Sequence, residues 1–457
     1  MSGALPRETP VAVLGAGTMG AGIAQVAAAA GHEVLLFDQR QGAAESAQRG
    51  IAETFARLEA RGALAGAAAA AQRLRPVPDL AGIGAAGLVI EAIIEDLGAK
   101  RALLRAAEAA VGPAAILATN TSSLAVAAIG AALARPGRFA GLHFFNPAPV
   151  MRLVEIVRGA ATEDEVAQIL TATARGWGKV AVAARDTPGF IVNRVARPFY
   201  GEALMLLEEA ALSPEALDAA MTGAGGFRMG PCALMDLIGH DVNFAVTHSV
   251  WEATFYDPRY RPSGVQRALV DAGWLGRKAG RGFFRHEAAA APMPKPPAGR
   301  KLPDVLPLPG GGVLLESDGR SAACRAAAFG APVVLRDGIL GAGGGIAIAG
   351  PEALLPAARE SLAAEGWIAL PMPDLPGLVV LRTAAMLANE AREAERLRIA
   401  SRDDVDLALV QGLNHPVGGS GWIAAFGAAR LRTTLEALRD HYGGDTRYRV
   451  SPLLEQP

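Results

Sequence analysis

The sequence predicts an α/β domain of the doubly wound kind followed by an all-α domain, then a small degenerate α/β segment and a second all-α copy. Three observations predict it. Residues 11–38 read strand, glycine turn, helix, strand, acid. Residues 1–185 alternate short apolar runs with helical stretches, and several of those runs end in polar clusters. From Asp186 the pattern turns helical, and that helical stretch returns near the end of the chain.

The first stretch, VAVLGAGTMGAGIAQVAAAAGHEVLLFD, is the most specific. Val11 to Leu14 is a strand, and Gly15-Ala-Gly17-Thr18-Met19-Gly20 opens the alanine-rich helix after it. Gly15 suits a tight turn. Gly17 lets a pyrophosphate approach the helix N-terminus, where free N–H groups favour an anion. Gly20 lets helix and strand pack closely. A second apolar run, Val34 to Phe37, ends at Asp38, where a carboxylate accepts ribose hydroxyls. This is the pattern of a Rossmann-type NAD-binding domain. Asp38 argues for NAD over NADP, because it would repel a 2′-phosphate, and Arg40 softens that preference. The alternative is an ordinary glycine turn in an α/β core.

Composition sets outer limits. The chain has 457 residues, enough for two to four domains. Net charge is −1, which points away from nucleic acid and anionic membrane surfaces. Two cysteines, Cys232 and Cys324, make neither a disulfide framework nor a zinc site, so no metal is expected. Mean hydropathy is +0.25, yet no apolar stretch has the length and flanks of a membrane helix. Met1 to Pro10 is polar and leads straight into the first strand, so the expectation is a soluble cytoplasmic protein.

Further along, Leu88 to Ala92 is a short run ending at Glu91, Ala115 to Ala118 ends at Thr119-Asn120-Thr121-Ser122-Ser123, and Phe139 to Phe145 ends at His143 and Asn146-Pro147. Strand carboxyl ends are where open parallel sheets bind ligands. Glu155 is expected at the end of another run, Met151 to Val157. The helical part runs from Gly189 to about 286, and the Pro- and Gly-rich residues 289–311 read as a linker. DTPGFIVNR at 186–194 returns as DLPGLVVLR at 374–382, and at the same offset Ser213 to Met221 returns as Ser401 to Leu409. The copies differ at Asn193, replaced by Leu381. The reading is therefore 1–185, 186–288, linker 289–311, a degenerate segment 312–370 and a catalytically incomplete second copy 371–457. GAGGG at 341–345 lacks the strand–helix context and trailing acid of a second nucleotide site.

The runs GAGTMGAGIAQ, EAIIEDLGAK, TNTSSL, GLHFFNPAPVMRLVEIV, DTPGFIVNR, GGFRMGP and GRKAGRGFF together resemble the L-3-hydroxyacyl-CoA dehydrogenase family. The resemblance covers about 10 to 286 in family order, and the later copy resembles bacterial members with a duplicated helical domain. It implies oxidation of an L-3-hydroxyacyl-CoA by NAD in a reversible reaction. That chemistry needs a base near neutrality, and imidazole, with an unperturbed pKa of about 6.5, supplies one. The resemblance makes His143 and Glu155 the catalytic dyad, with Ser122 and Asn193 holding the substrate oxygen. It implies cofactor contacts at Glu95, Lys100, Asn120, Ser122, Asn146 and Lys278. It implies CoA contacts at Thr54 and Arg61, by residue type only, and at Ser122. From the residues alone, His143 is equally a buried histidine satisfied by the backbone, Ser122 a helix cap, and Glu91, Glu95 and Lys100 a solvated helix face.

Two other functions stay open: a non-catalytic NAD-binding relative, and a β-hydroxyacid dehydrogenase on free acids. The first is disfavoured because Ser122, His143, Glu155 and Asn193 are all present; the second usually works with a catalytic lysine. The architecture resembles enzymes of phenylacetate catabolism acting on 3-hydroxyadipyl-CoA. Short-chain 3-hydroxybutyryl-CoA, in fatty acid metabolism by β-oxidation, is equally open. In single-copy members the helical domain is where subunits meet. The duplication therefore predicts that 371–450 packs on 186–286 as an intramolecular pseudo-dimer, with further homo-oligomer formation left open.

Overall fold

The computed structural model describes residues 3–286 and 299–456. It divides into two compact units, Met1–Ile191 with Arg398–Gly412, and Val192–Leu397 with Leu413–Pro457. In the first unit the strands are β1 (Val11–Leu14), β2 (Val34–Phe37), β3 (Leu74–Pro76), β4 (Leu88–Glu91), β5 (Ile116–Thr119), β6 (Phe139–Phe144), β7 (Leu153–Arg158) and β8 (Val180–Arg185). Its helices are α1 (Thr18–Ala29), α2 (Ala43–Ala60), α3 (Ala67–Gln72), α4 (Leu97–Ala110), α5 (Val126–Gly130) and α6 (Asp164–Gly176). The strands form one sheet in the order β3-β2-β1-β4-β5-β6-β7-β8. All four residues of β1, β2, β4 and β5 are buried, as expected for parallel strands covered on both faces. The order reverses around β1, which opens a crevice at the carboxyl ends of β1 and β4.

The parallel run ends between β6 and β7, which pair antiparallel. That reversal corrects one expectation. Glu155 is the third residue of β7 and not the end of a run. An apolar stretch looks the same whether an acid sits at its middle or its tip.

The second unit begins with α7 (Val192–Val195) and α8 (Arg197–Glu208), then α9 (Pro214–Gly223), α10 (Pro231–Ile238), α11 (His240–Ala253) and α12 (Gly264–Asp271). A five-stranded sheet follows: β9 (Val305–Pro307), β10 (Val313–Glu316), β11 (Val333–Arg336), β12 (Gly344–Ala349) and β13 (Trp367–Pro371), with α13 (Ala322–Phe329) and α14 (Leu355–Ala364). The expected linker is thereby corrected: Val305–Pro307 pairs antiparallel with β10, and 289–298 lie outside the described residues. The chain ends with α15 (Val380–Arg396), α16 (Arg402–Leu413), α17 (Gly419–Phe426) and α18 (Ala428–His441). Only the last residue of α16 falls in this unit.

The small sheet repeats half of the large one. In β5-α5-β6-β7-α6-β8 the strand pairs run parallel, antiparallel, parallel, and in β10-α13-β11-β12-α14-β13 they do so again. A shared capping detail supports the match. Asp186 accepts from the N–H groups of Val126 and Ala127 at the start of α5. Asp374, which holds the place of Asp186 in the sequence repeat, accepts from Ala322 and Ala323 at the start of α13. Among the described residues no strand–glycine turn–helix precedes β10. The GAGGG run serves packing: a Cβ on Gly341 would stand 1.9 Å from the Gly223 carbonyl oxygen, and one on Gly345 2.8 Å from Ala219. Glycine there lets α9 and its following turn lie directly on backbone.

The two helical copies meet through reciprocal buried charges. Arg194 Nε lies 3.1 Å from Glu390, and Arg382 Nε, its counterpart in the second copy, lies 3.0 Å from Glu202, the counterpart of Glu390. Arg259 and Tyr260 complete the first cluster, Arg447 and Tyr448 the second. Around them one apolar core runs from Ala196 to Leu454.

Candidate active site

The glycine turn takes the shape its sequence implies. Gly15 has φ +107°, and a Cβ there would stand 2.6 Å from the Ala92 carbonyl oxygen. A Cβ on Gly20 would collide with the Gly15 carbonyl, whereas Gly17 has nothing within 4 Å. Among the described residues no side chain caps the N-terminus of α1, where Thr18 and Met19 begin the helix. Asp38, at the end of β2, accepts from the N–H of Ala16 at 2.7 Å and of Arg40 at 2.8 Å. Burial pushes its carboxyl up, but the Arg40 guanidinium and these N–H groups outweigh that and hold it below its ordinary value. An open, glycine-lined helix N-terminus with an ionised acid beside it fits a dinucleotide.

His143 and Glu155 are brought together by strand register. They are directly opposite on the β6–β7 ladder, so their side chains share one face. His143 Nδ1 lies 2.6 Å from Glu155 Oε2, and both residues are buried. The other carboxylate oxygen accepts from the Ile191 N–H at 3.0 Å. Phe145 and Phe190 pack their rings against the imidazole. Among the described residues no hydrogen bond engages Nε2.

The polar cluster after β5 is tied to the loop after β4. Glu95 accepts from the Thr121 hydroxyl at 2.6 Å and from the Ser122 and Ser123 N–H groups at 2.9 and 3.0 Å. Burial raises its carboxyl, yet the Thr121 hydroxyl, the Lys100 charge and these donors pull it down to about 2. Lys100 is buried against Glu91 at 2.6 Å, with Glu95 3.3 Å away, and Glu91 also accepts from Thr119. The solvated helix face is thus excluded for Glu91 and Lys100. Asn120 accepts from the Phe144 N–H at 2.8 Å, which fixes the end of β6 next to His143.

Asn146 is exposed in the turn after β6. Thr54 lies on α2, and Arg61 is the residue that caps the C-terminus of that helix. Arg57, which the sequence reading passed over, donates to Thr54 at 2.9 Å. Asn193, half-buried on α7, and Lys278, paired with Asp241 at 2.6 Å, belong to the second unit. The segment that carries Lys278 is pinned by Asp236, which accepts from Phe283 and Phe284 N–H groups and contacts His240 and His286.

Residues 10–187 match the profile described as 3-hydroxyacyl-CoA dehydrogenase, NAD binding domain. Residues 189–286 and 377–457 both match its C-terminal domain. The chain belongs to the 3-hydroxyacyl-CoA dehydrogenase family. It is 44% identical over 98% of its length, and 96% of the relative's, to the Escherichia coli 3-hydroxyadipyl-CoA dehydrogenase. A crystal structure of 3-hydroxybutyryl-CoA dehydrogenase from Escherichia coli superposes with a TM-score of 0.91 at 43% identity, covering 99% of this chain and 98% of that one. The human mitochondrial hydroxyacyl-coenzyme A dehydrogenase is 38% identical over 61% of this chain and 91% of its own. This 3-hydroxyacyl-CoA dehydrogenase is accordingly an NAD-dependent oxidoreductase, with the glycine turn in its NAD-binding domain.

Register also shows what the second sheet holds in place of the dyad. Glu155 pairs with Val182 on β8, and Ala347 pairs with Leu370, which corresponds to Val182 at the offset relating Asp186 to Asp374. Ala347 therefore stands where Glu155 does, and Asp337, whose N–H donates to the Ala347 carbonyl, stands where His143 does. The Asp337 carboxylate accepts from the N–H groups of Val379, Val380 and Leu381. A buried cap for the entry to α15 thus replaces an imidazole.

Proposed function

We propose that His143 is the general base of a reversible oxidation at C3 of an L-3-hydroxyacyl-CoA, and that Glu155 orients it. The observation that carries this is the buried 2.6 Å contact between His143 Nδ1 and Glu155. A carboxylate accepting from Nδ1–H leaves the lone pair on Nε2, which takes the C3 hydroxyl proton. The resulting imidazolium is stabilised by the same carboxylate, and in the reverse direction Nε2–H returns the proton. Ser122 and Asn193 hold the substrate oxygen, so that its proton meets Nε2. NAD, when bound, supplies the two-electron acceptor. Gly15, Gly17, Thr18, Met19, Gly20 and Asp38 would hold its adenosine and pyrophosphate. Glu95, Lys100, Asn120, Ser122, Asn146 and Lys278 would frame its nicotinamide half. Lys100 acts through Glu91 and Glu95, because its ammonium is buried between them. Thr54 and Arg61 meet CoA, where a guanidinium suits a phosphate.

The reciprocal pairs Arg194–Glu390 and Arg382–Glu202 support the pseudo-dimer, since a two-fold interface puts residue i on j and j on i. The second copy then serves packing, because Asp337 and Leu381 stand where His143 and Asn193 do. A cytoplasmic role in breakdown of fatty acyl or phenylacetate-derived acyl-CoA fits this chemistry. The test is NAD reduction with L-3-hydroxybutyryl-CoA, its D-isomer and free 3-hydroxybutyrate. Only the first should turn over, and equal rates with the free acid would overturn the reading.

A further inference from the structure

Arg197 is the one arginine of α8, only 6% exposed, and no carboxylate pairs with it among the described residues. One guanidinium nitrogen donates to the Thr247 hydroxyl at 2.9 Å, and the group lies 4.9 Å from the Tyr200 ring. Its Nε has no hydrogen-bond partner among the described residues. A buried, uncompensated cation is costly and calls for a counter-anion. The neighbouring buried arginines are matched: Arg259 by Glu390 and Asp257, Arg447 by Glu202. Burial draws the Arg197 guanidinium below its ordinary range, as expected for a charge without a partner.

Arg197 lines a cavity of about 40 Å³ together with Tyr200, Thr247 and Gln266, with Arg261 and Glu208 exposed on its lining. A water needs about 10–15 Å³, so the cavity holds about three oxygen-sized positions, enough for one carboxylate. Arg197 also follows Asn193 by four residues. Ala196 between α7 and α8 keeps right-handed helical angles, so the two residues are one turn apart, about 6 Å along the axis.

We propose that Arg197 receives a carboxylate at the far end of the acyl chain, so that the substrate is a carboxyl-ended, dicarboxylyl 3-hydroxyacyl-CoA. This rests on the reading that Asn193 holds the C3 oxygen. Three carbon–carbon bonds beyond C3, each about 1.5 Å, bring a C6 carboxylate within an arginine's reach of that oxygen. Thr247 aims the guanidinium, and the unsatisfied Nε provides a second donor for a forked pair.

The test compares full-length wild type, Arg197→Met and Arg197→Lys on 3-hydroxyadipyl-CoA and 3-hydroxyhexanoyl-CoA, with 3-hydroxybutyryl-CoA as reference and thermal midpoints recorded. In Arg197→Met the ratio of kcat/KM for adipyl over hexanoyl substrate should fall at least about tenfold, mainly through KM, the size of one charged hydrogen bond. Arg197→Lys should recover part of that ratio. An unchanged ratio overturns the proposal, whether all substrates suffer equally or none does. An unchanged ratio with stabilisation of wild type by free adipate, lost in Arg197→Met, would assign the cavity to a free anion instead. Wild type inactive on all three substrates would overturn the dehydrogenase reading itself, a distinct outcome.

Discussion

Phe227 and His415 are the same position in the two helical copies, and their rings meet edge to face with centroids 5.1 Å apart. A position that touches its own counterpart lies on the axis relating the copies. Phe199 and Trp422 flank the pair, Phe199 packing on both rings and Trp422 stacking on Phe227. The site is apolar, yet one of its two central rings is an imidazole with neither nitrogen hydrogen-bonded among the described residues.

That imidazole makes folding pH-dependent. Burial pulls the His415 pKa down to about 3, against about 6.5 in an unfolded chain. Between those values the unfolded state binds a proton that the folded state does not. Stability from this group is therefore complete above pH 6.5 and is lost progressively as pH falls toward 3. At pH 5 the loss is about 2 kcal/mol, at 1.36 kcal/mol per pH unit. His415→Phe, which restores the counterpart residue, should flatten the slope of unfolding free energy between pH 7 and 5. Parallel slopes for wild type and variant would exclude a neutral buried imidazole.

His143→Gln should keep NADH binding and lower turnover by about 10² to 10⁴, the usual effect of removing a positioned acid/base. Glu155→Gln should act in the same direction, because the amide no longer fixes the Nδ1–H tautomer. Stopped-flow turnover with acetoacetyl-CoA measures both. Near wild-type turnover in the His143 variant would exclude it as the base.

The sequence made the first unit readable because its signals are local. Glycines at Gly15, Gly17 and Gly20, apolar runs and Asp38 are each decided within a few residues. What it hid depends on partners far along the chain. Glu91 and Lys100 look like surface charges until β5 places Thr119 beside them. Glu155 reaches His143 only because the chain reverses after β6. The second sheet was obscured by its own packing: Gly341 and Gly345 are small because α9 lies on them, and that weakens the strand signal. Arg197 looks like an exposed helix residue, and what buries it comes from elsewhere in the chain, Thr247 on α11 and Gln266 on α12 among them.

Cofactor preference follows from Asp38. Its carboxylate would face a 2′-phosphate, and the neighbouring cation Arg40 already binds it through Nε at 3.1 Å. NADH should exceed NADPH in kcat/KM by at least about tenfold, since like charges in contact cost several kcal/mol. Asp38→Asn should narrow the gap. Equal constants for the two cofactors in wild type would mean that Arg40 turns from Asp38 to the phosphate.

The pseudo-dimer makes a prediction that separates it from loose tethering. Arg194 is buried, and its ion-pair partner, Glu390, lies in the other copy. Removing one partner of a buried pair leaves an uncompensated charge and costs about 3 to 5 kcal/mol. Glu390→Gln should therefore destabilise by that amount, and Glu202→Gln, its counterpart, by a similar amount. Glu165→Gln on the exposed surface should cost less than about 1 kcal/mol. Truncation after about residue 290 removes both second-copy partners at once and uncovers the apolar core around Phe199 and Phe227. The shortened chain should then self-associate, each Glu202 taking the place of a lost Glu390, or become poorly soluble. Light scattering and sedimentation decide it. A truncated protein that stays monomeric, soluble and fully active would show that the second copy does not cover that face.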